Sequence, residues 1–263
     1  MVAMTKIIFM VITALIAFGL PIVLGIVFCK KFGGTVKAIL VGGLVFFIFQ
    51  MVIRIPLLQA FSKQDWYIAM AKNHLLLAIF LGLTAGIFEE VGRFLGFRFL
   101  LKDRLNYGNG LAFGVGHGGV EAVLLVGLNY INYIIFALLL NKGLINQVFA
   151  GKISKDMINE IVKMLVLTPA YNFLLAGLER VFAITIQIAL SLIVLLAVRN
   201  KNLLYLLIAI LLHMLIDTPI AYMAMNGVNV FILEGVTFLI ALASLYFIIR
   251  MKDMDKGTNE VEL

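Results

Sequence analysis

An all-α integral membrane protein, a bundle of about seven transmembrane helices with an active site inside the bundle, is the fold the sequence predicts, on three observations. Hydrophobic residues make up 63% of the chain and charged ones only 13%, with a mean hydropathy of +1.10; a water-soluble domain of this length needs far more polar surface. Windows of about 20 apolar residues, long enough to cross a bilayer, recur along the whole chain. Between them no hydrophilic stretch is long enough for a soluble domain, so residues 1–263 read as a single transmembrane domain ending in a polar tail, expected to be disordered, from about 251 to 263.

Seven spans fit the hydropathy pattern: roughly 5–28, 37–58, 73–99, 111–140, 169–198, 203–225 and 228–250. The first is too long for a signal-peptide core and has no A-x-A-like exit, so it reads as a retained helix. Its lone cysteine, Cys29, excludes an intramolecular disulfide and a thiolate metal cluster. The second span is uncharged only from Ala38 to Ile53, about 24 Å of helix, so Lys37 and Arg54 are expected to snorkel to its ends. Ser62-Lys63-Gln64-Asp65 reads as a helix start, followed by Trp66 and Tyr67 at headgroup depth. Between spans four and five, Lys152 to Lys163 carries Ile153, Met157, Ile158, Ile161 and Val162 on one helical face with charges opposite. That pattern suits a helix lying in the interface, either a surface connection or a lid or docking element.

The net charge of +7 does not point to nucleic acid, because lysines and arginines sit mainly between the spans, where topology and anionic lipid headgroups account for them. Eleven lie on the side of the loops after spans one, three and five and the C-terminal tail, against eight on the other side. This bias predicts a multi-pass protein of the cell membrane with its N-terminus outside and its C-terminus in the cytoplasm.

The spans also contain Glu89, Glu90, Arg93, His117, Glu121, Glu179, Arg180, His213, Asp217 and Glu234. Each acid or base at mid-membrane costs roughly 2.5–3.5 kcal/mol, and together the charged ones exceed a typical net stability of about 5–15 kcal/mol. They must therefore be paired, protonated or hydrated inside the bundle. Glu89 with Arg93, His117 with Glu121, and His213 with Asp217 are i, i+4 pairs, so three helices each offer a polar face. Glu90 can share Arg93 at i, i+3. At about 1.5 Å per residue, Glu89, His117, Glu121 and His213 lie about 9–15 Å from one membrane edge, with Gln187 on span five near the same level. Glu179 and Arg180 sit roughly 27 Å from that edge and read as structural. The glycines of Phe113-Gly114-Val115-Gly116-His117-Gly118-Gly119 either let other backbones approach closely or clear space beside His117 for a peptide or a water.

Two carboxylates and two histidines converging in an apolar bundle could hold a water, take its proton, and donate to the oxyanion of a cleaved amide. No G-x-S-x-G or H-E-x-x-H occurs, so serine hydrolase and zincin signatures are missing. Glu89-Glu90-Val91-Gly92-Arg93, Phe113-Gly114-Val115-Gly116-His117 and His213-Met214-Leu215-Ile216-Asp217 resemble the E-E-x(2–3)-R, F-x-x-x-H and H-x-x-x-[ND] motifs of the CAAX-protease and bacteriocin-processing superfamily. These are glutamic-type intramembrane endopeptidases. The GHGGVEA and GLERVFA stretches resemble the YhfC-type branch, and the motif-bearing core covers about residues 86–218.

The resemblance implies a protease that hydrolyses a peptide bond in a membrane-associated peptide or protein and needs no metal ion or cofactor. By it, Glu89 with His117 would activate the water, Glu90 and Arg93 would orient it, and His213 with Asp217 would face the oxyanion. Glu121, Gln187, Glu179 and Arg180 would support them. The E-E-x-x-R spacing is one residue shorter than the commonest form, which leaves the base open between Glu89 and Glu90. Asp217 replaces an asparagine, and Gln187 stands where a histidine is expected. The rival readings are a non-catalytic partner-binding or immunity-type membrane protein, a proton-coupled transporter, and a metal site from His117, Glu121 and His213. No inverted repeat supports the transporter.

Overall fold

The computed structural model describes residues 1–149 and 153–261, with side chains up to Lys252. No strand occurs among the described residues, and seven of their helices are long and apolar enough to cross a membrane. These are α1 (Met4–Phe32), α2 (Val36–Phe61), α3 (His74–Leu100), α4 (Tyr107–Asn141), α5 (Ala170–Arg199), α6 (Leu204–Met225) and α7 (Val230–Lys252). Each matches its expected span to within four residues at either end; the largest shift at a start is in α4, which begins at Tyr107 rather than near 111. Helix continues after α7 to Val261. The tail expected from about 251 falls largely on side chains outside the description, and Lys152, the expected start of the amphipathic segment, lies outside the described residues.

The helices group into two compact units, one comprising Met1–Leu20 and Ala122–Val181, the other Pro21–Glu121 and Phe182–Leu263. Three helices pass from one to the other. In α1 the division falls at Pro21, which lacks the N–H a helix interior needs. In α4 it falls where the α-helical turns give way to a π-helical stretch, Ala122–Gly127.

The first unit has an apolar core of Val2, Ile7, Met10, Ala14, Tyr130, Ala137, Leu165 and Phe173. The amphipathic segment forms a helix at Lys155–Leu167, capped by the Ser154 hydroxyl, which accepts from the Met157 N–H at 3.2 Å. Ile158 and Leu165 on this helix are buried, and Ile161 packs on the core, whereas Met157 stays exposed. The helix thus closes one edge of the unit with part of its apolar face.

The second unit is assembled through glycine, because membrane helices gain most when small residues let their backbones meet. A Cβ added at Gly116 of α4 would overlap the carbonyl oxygen of Ile39 on α2, and one at Gly42 of α2 that of Phe113 on α4. A Cβ at Gly114 would stand 2.5 Å from Ile188 Cα of α5. Neighbouring backbone, not open space, lies against Gly114 and Gly116. On α3, a Cβ at Gly86 would stand 2.6 Å from the Ile210 carbonyl oxygen of α6, and one at Gly92 2.8 Å from the Phe49 ring of α2. Helices α2 and α6 are thereby drawn in against α3, the helix that carries Glu89, Glu90 and Arg93, and α4 against α2 and α5.

Between α2 and α3 a short helix, Asp65–Ala71, begins as Ser62–Asp65 suggested. Its Trp66 and Tyr67 pack edge-on against Phe80 at 5.9 and 5.8 Å. Asn73 then caps α3, its side chain accepting from the Leu75 and Leu76 N–H groups.

Candidate active site

Three charges of α3 are wholly inside the second unit: Glu89 is 4% exposed, and Glu90 and Arg93 are 0% exposed. Arg93 lies between them because i, i+3 and i, i+4 neighbours share a helix face. Its guanidinium donates to Glu90 Oε1, to Gln187 Oε1 of α5 and, at 3.4 Å, to Glu89 Oε2. A cation with three oxygen acceptors from two helices compensates the two acids that would otherwise be buried alone.

Each glutamate also has its own histidine. Glu89 Oε2 lies 2.9 Å from His117 Nε2 of α4, and Glu90 Oε1 lies 2.6 Å from His213 Nδ1 of α6. The His117 ring is held between aromatic walls, with Phe46 edge-on at 5.2 Å and Phe113 stacked at 6.5 Å, backed by Phe97 at 4.3 Å from Phe113. The other nitrogen of His213, Nε2, faces Asp217 Oδ2 at 3.4 Å. Asp217 is the outermost member, with 43% of its side chain exposed.

Gln187 links the groups from the α5 side. Its Nε2 donates to Glu121 Oε2 at 2.7 Å and to Glu89 Oε2 at 3.4 Å, while Ser191 anchors the same helix turn by donating to the Gln187 carbonyl at 2.8 Å. Gln187 therefore accepts from Arg93 and donates to two carboxylates at once, a bridging role that an amide can fill. Glu90 Oε2, Arg93 Nε and His117 Nδ1 are buried without hydrogen-bond partners among the described residues. Glu89 Oε1 also makes none of these bonds.

Glu89, Glu90, Arg93, His117, Glu121, Gln187, His213 and Asp217, expected from spacing and depth, all fall in this one network. One expected pair is divided: His117 takes Glu89, and Glu121 reaches Gln187. Glu179 and Arg180 belong to the first unit, where Arg180 Nε donates to Glu179 Oε2 at 2.6 Å. The glycines around His117 do not clear space beside it, because α2, α5 and α1 residues fill their positions.

Arg54 corrects a second expectation. Instead of snorkelling, it is buried at 8% exposure, donating to Gln50 Oε1 at 3.1 Å, Thr84 Oγ1 at 3.2 Å and the Leu81 carbonyl at 2.7 Å. It ends a π-helical stretch of α2, Phe47–Arg54, a widened turn that often marks functional sites. The i, i+4 spacing of Gln50 and Arg54 was the available signal, and the position of Arg54 at the end of an apolar run hid it.

A family model described as YhfC intramembrane metalloprotease matches residues 15–237. The chain belongs to the YhfC family. It is also 38% identical over 255 residues to the uncharacterized membrane protein YhfC of Bacillus subtilis (strain 168), covering 96% of this chain and 98% of that protein. No solved structure matches.

The family description names a metal, and the donors of this YhfC protein do not fit one as they are placed. The two imidazoles point at different carboxylates, and no three His, Cys, Asp or Glu side chains among the described residues form a group that could hold an ion. An ion between Glu89 and Glu90 would compete with the Arg93 guanidinium, which is bonded to both.

Proposed function

We propose that this YhfC protein is an intramembrane endopeptidase of glutamic type, in which Glu89 takes a proton from a water that attacks a peptide carbonyl. The observation that carries the reading is the pair of carboxylate–histidine couples, on three helices and joined by Arg93, inside an apolar bundle. The family description supports the protease class but names the metal-dependent type, against which the glutamic type has to be tested.

Glu89 is the better base of the two. Arg93, His117 and Gln187 all lie on its Oε2, which orients the carboxylate and leaves Oε1 for a water, and Glu89 keeps the small exposure that Glu90 lacks. Glu90 instead accepts from Nδ1–H of His213, and with the Asp217 carboxylate facing the other nitrogen the ring carries both protons, as an imidazolium whose Nε2–H is directed toward Asp217. The 3.4 Å contact from Nε2 to Asp217 is the longer of the two His213 contacts. A substrate carbonyl oxygen could replace it, receiving the Nε2–H as negative charge develops. The water oxygen bonds to the carbonyl carbon as its proton passes to Glu89. When the C–N bond breaks, that proton passes from Glu89 to the leaving amine.

The substrate is a peptide or protein segment within the bilayer. The lysine and arginine bias places the loop of Lys102 and the C-terminus in the cytoplasm and the N-terminus outside the cell membrane. Cysteine substitutions in a Cys29→Ala background, labelled by an impermeant maleimide in intact cells, test this; labelling at position 102 without lysis reverses the orientation.

The catalytic type is tested by metal analysis of the purified protein together with cleavage of a membrane-inserted peptide before and after chelation. Cleavage that survives chelation, without stoichiometric metal, supports the glutamate mechanism. Stoichiometric zinc, with activity restored only by adding it back, replaces it with the metal-dependent one. A well-folded protein that cleaves no peptide favours partner binding or transport.

A further inference from the structure

At the end of α3, away from the carboxylates, a cavity of about 410 Å³ is lined by Phe94, Arg98, Ala197, Val198, Lys201 and Leu203. Arg98 is in the last turns of α3, and Lys201 and Leu203 are in the turn joining α5 to α6. The cavity therefore lies where three membrane-crossing helices reach one bilayer surface. Its volume is within the range of ligand pockets, and its wall joins two cations to four apolar side chains.

Neither cation is used inside the protein. The side chains of Arg98 and Lys201 make no hydrogen bond or ion pair among the described residues. The Arg98 guanidinium rests only on aromatic faces, 5.6 Å from the Phe94 centroid and 5.7 Å from that of Phe99, which fixes its plane but leaves its N–H donors open.

Lys201 adds an independent observation. It is the one non-glycine residue with positive φ, 52°, among the described residues. The bonds from Asn202 N to the Ala197 carbonyl and from Lys201 N to the Val198 carbonyl make it the C′ residue of a Schellman turn. Glycine, or sometimes asparagine, takes this place at least cost, and a lysine there is strained. The strained backbone carries an unpaired ammonium at the rim of the cavity.

We propose that this cavity binds the phosphate of an anionic lipid headgroup. The Arg98 fork takes two of its oxygens and Lys201 supplies the second charge, while an acyl chain follows the flank of Phe94, Ala197, Val198 and Leu203. Basic pockets between membrane helices favour net negative headgroups, and two such cations correspond to a preference of about tenfold or more. The bound lipid would tie the end of α3 to the α5–α6 turn.

The test uses the full-length purified protein in nanodiscs of phosphatidylcholine with increasing phosphatidylglycerol, reading bound lipid by native mass spectrometry and unfolding temperature in parallel. A separate arm adds inorganic phosphate to the protein in detergent. The wild type should prefer phosphatidylglycerol about tenfold or more, and Arg98→Gln and Lys201→Gly should each lose severalfold of that preference. Lys201→Gly relieves the positive φ, so without the anionic lipid it should unfold a few degrees higher than wild type, which separates lost binding from lost folding. Equal binding of both lipids, or a preference retained by the double variant, overturns the site. Inorganic phosphate protecting the protein as well as phosphatidylglycerol does would assign the cavity to a free anion and overturn the lipid.

Discussion

The two units of this YhfC protein bury polar groups in different ways. In the first, the polar side chains bond mostly to backbone groups, without full charge burial. Thr13 donates to the Phe173 carbonyl at 2.5 Å, and Asn141 exchanges hydrogen bonds with the backbone of Val2 at 2.7 and 2.8 Å. Lys6 donates to the Leu165 and Val166 carbonyls. Its intramembrane ion pair, Glu179 with Arg180, joins sequence neighbours whose side chains stay 27% and 11% exposed. In the second unit Glu89, Glu90, Arg93, His117 and His213 are buried almost completely and bond side chain to side chain, within α3 and across to α4, α5 and α6. Bonds from side chains to backbone are what helix packing alone requires, whereas a shared network of charge at the centre of a bundle carries a cost that packing does not require.

The difference predicts how each unit responds when a group is removed. The largest effects belong to the histidines. His117→Ala and His213→Ala should each lower peptide cleavage by about 10²–10³-fold in purified protein, the range for losing a group that orients the base or stabilises the oxyanion. Arg93→Leu should come next, costing about 3–5 kcal/mol of stability by stranding Glu89 and Glu90. Changing both glutamates to Gln as well should recover part of that loss in detergent unfolding. A triple variant no more stable than Arg93→Leu alone would break the pairing account.

Smaller still, Gly116→Ala should destabilise by about 1–3 kcal/mol, because its methyl must displace the Ile39 backbone. Unfolding temperature measures it, and an unchanged value would mean that α2 and α4 are not packed backbone to backbone. Glu179→Gln should be the mildest, about 0–1 kcal/mol for a part-exposed pair, with cleavage within about twofold of wild type. A loss as large as that at His117 would erase the contrast between the units.

Much of this was legible in the sequence, since length and apolarity mark spans and the 3.6-residue period places i, i+4 charges on one face. Depth counted along each helix was enough to bring Glu89, His117, His213 and Gln187 to one level. What it could not show was which partner each group would choose. Helix rotation decides that, and it depends on contacts such as Gly86 on Ile210 and Gly114 on Ile188. Arg54 was misread for a related reason: at the end of an apolar run a snorkelling arginine and a buried one have the same sequence surroundings, and only the packing of α2 against Leu81 and Thr84 separates them. The division near Pro21 was likewise concealed, because proline within a long apolar helix is compatible with an uninterrupted span.

The most direct measurement is cleavage of a membrane-inserted peptide by Glu89→Gln, with thermal unfolding as the control for folding. The substitution keeps the size of the side chain and its capacity to accept from Arg93 and His117, but the amide cannot take a proton from water. A folded Glu89→Gln protein should be slower by about 10²-fold or more, with no further large loss on adding His117→Ala, since His117 acts through the Glu89 carboxylate. A well-folded Glu89→Gln protein cleaving at the wild-type rate would contradict the mechanism.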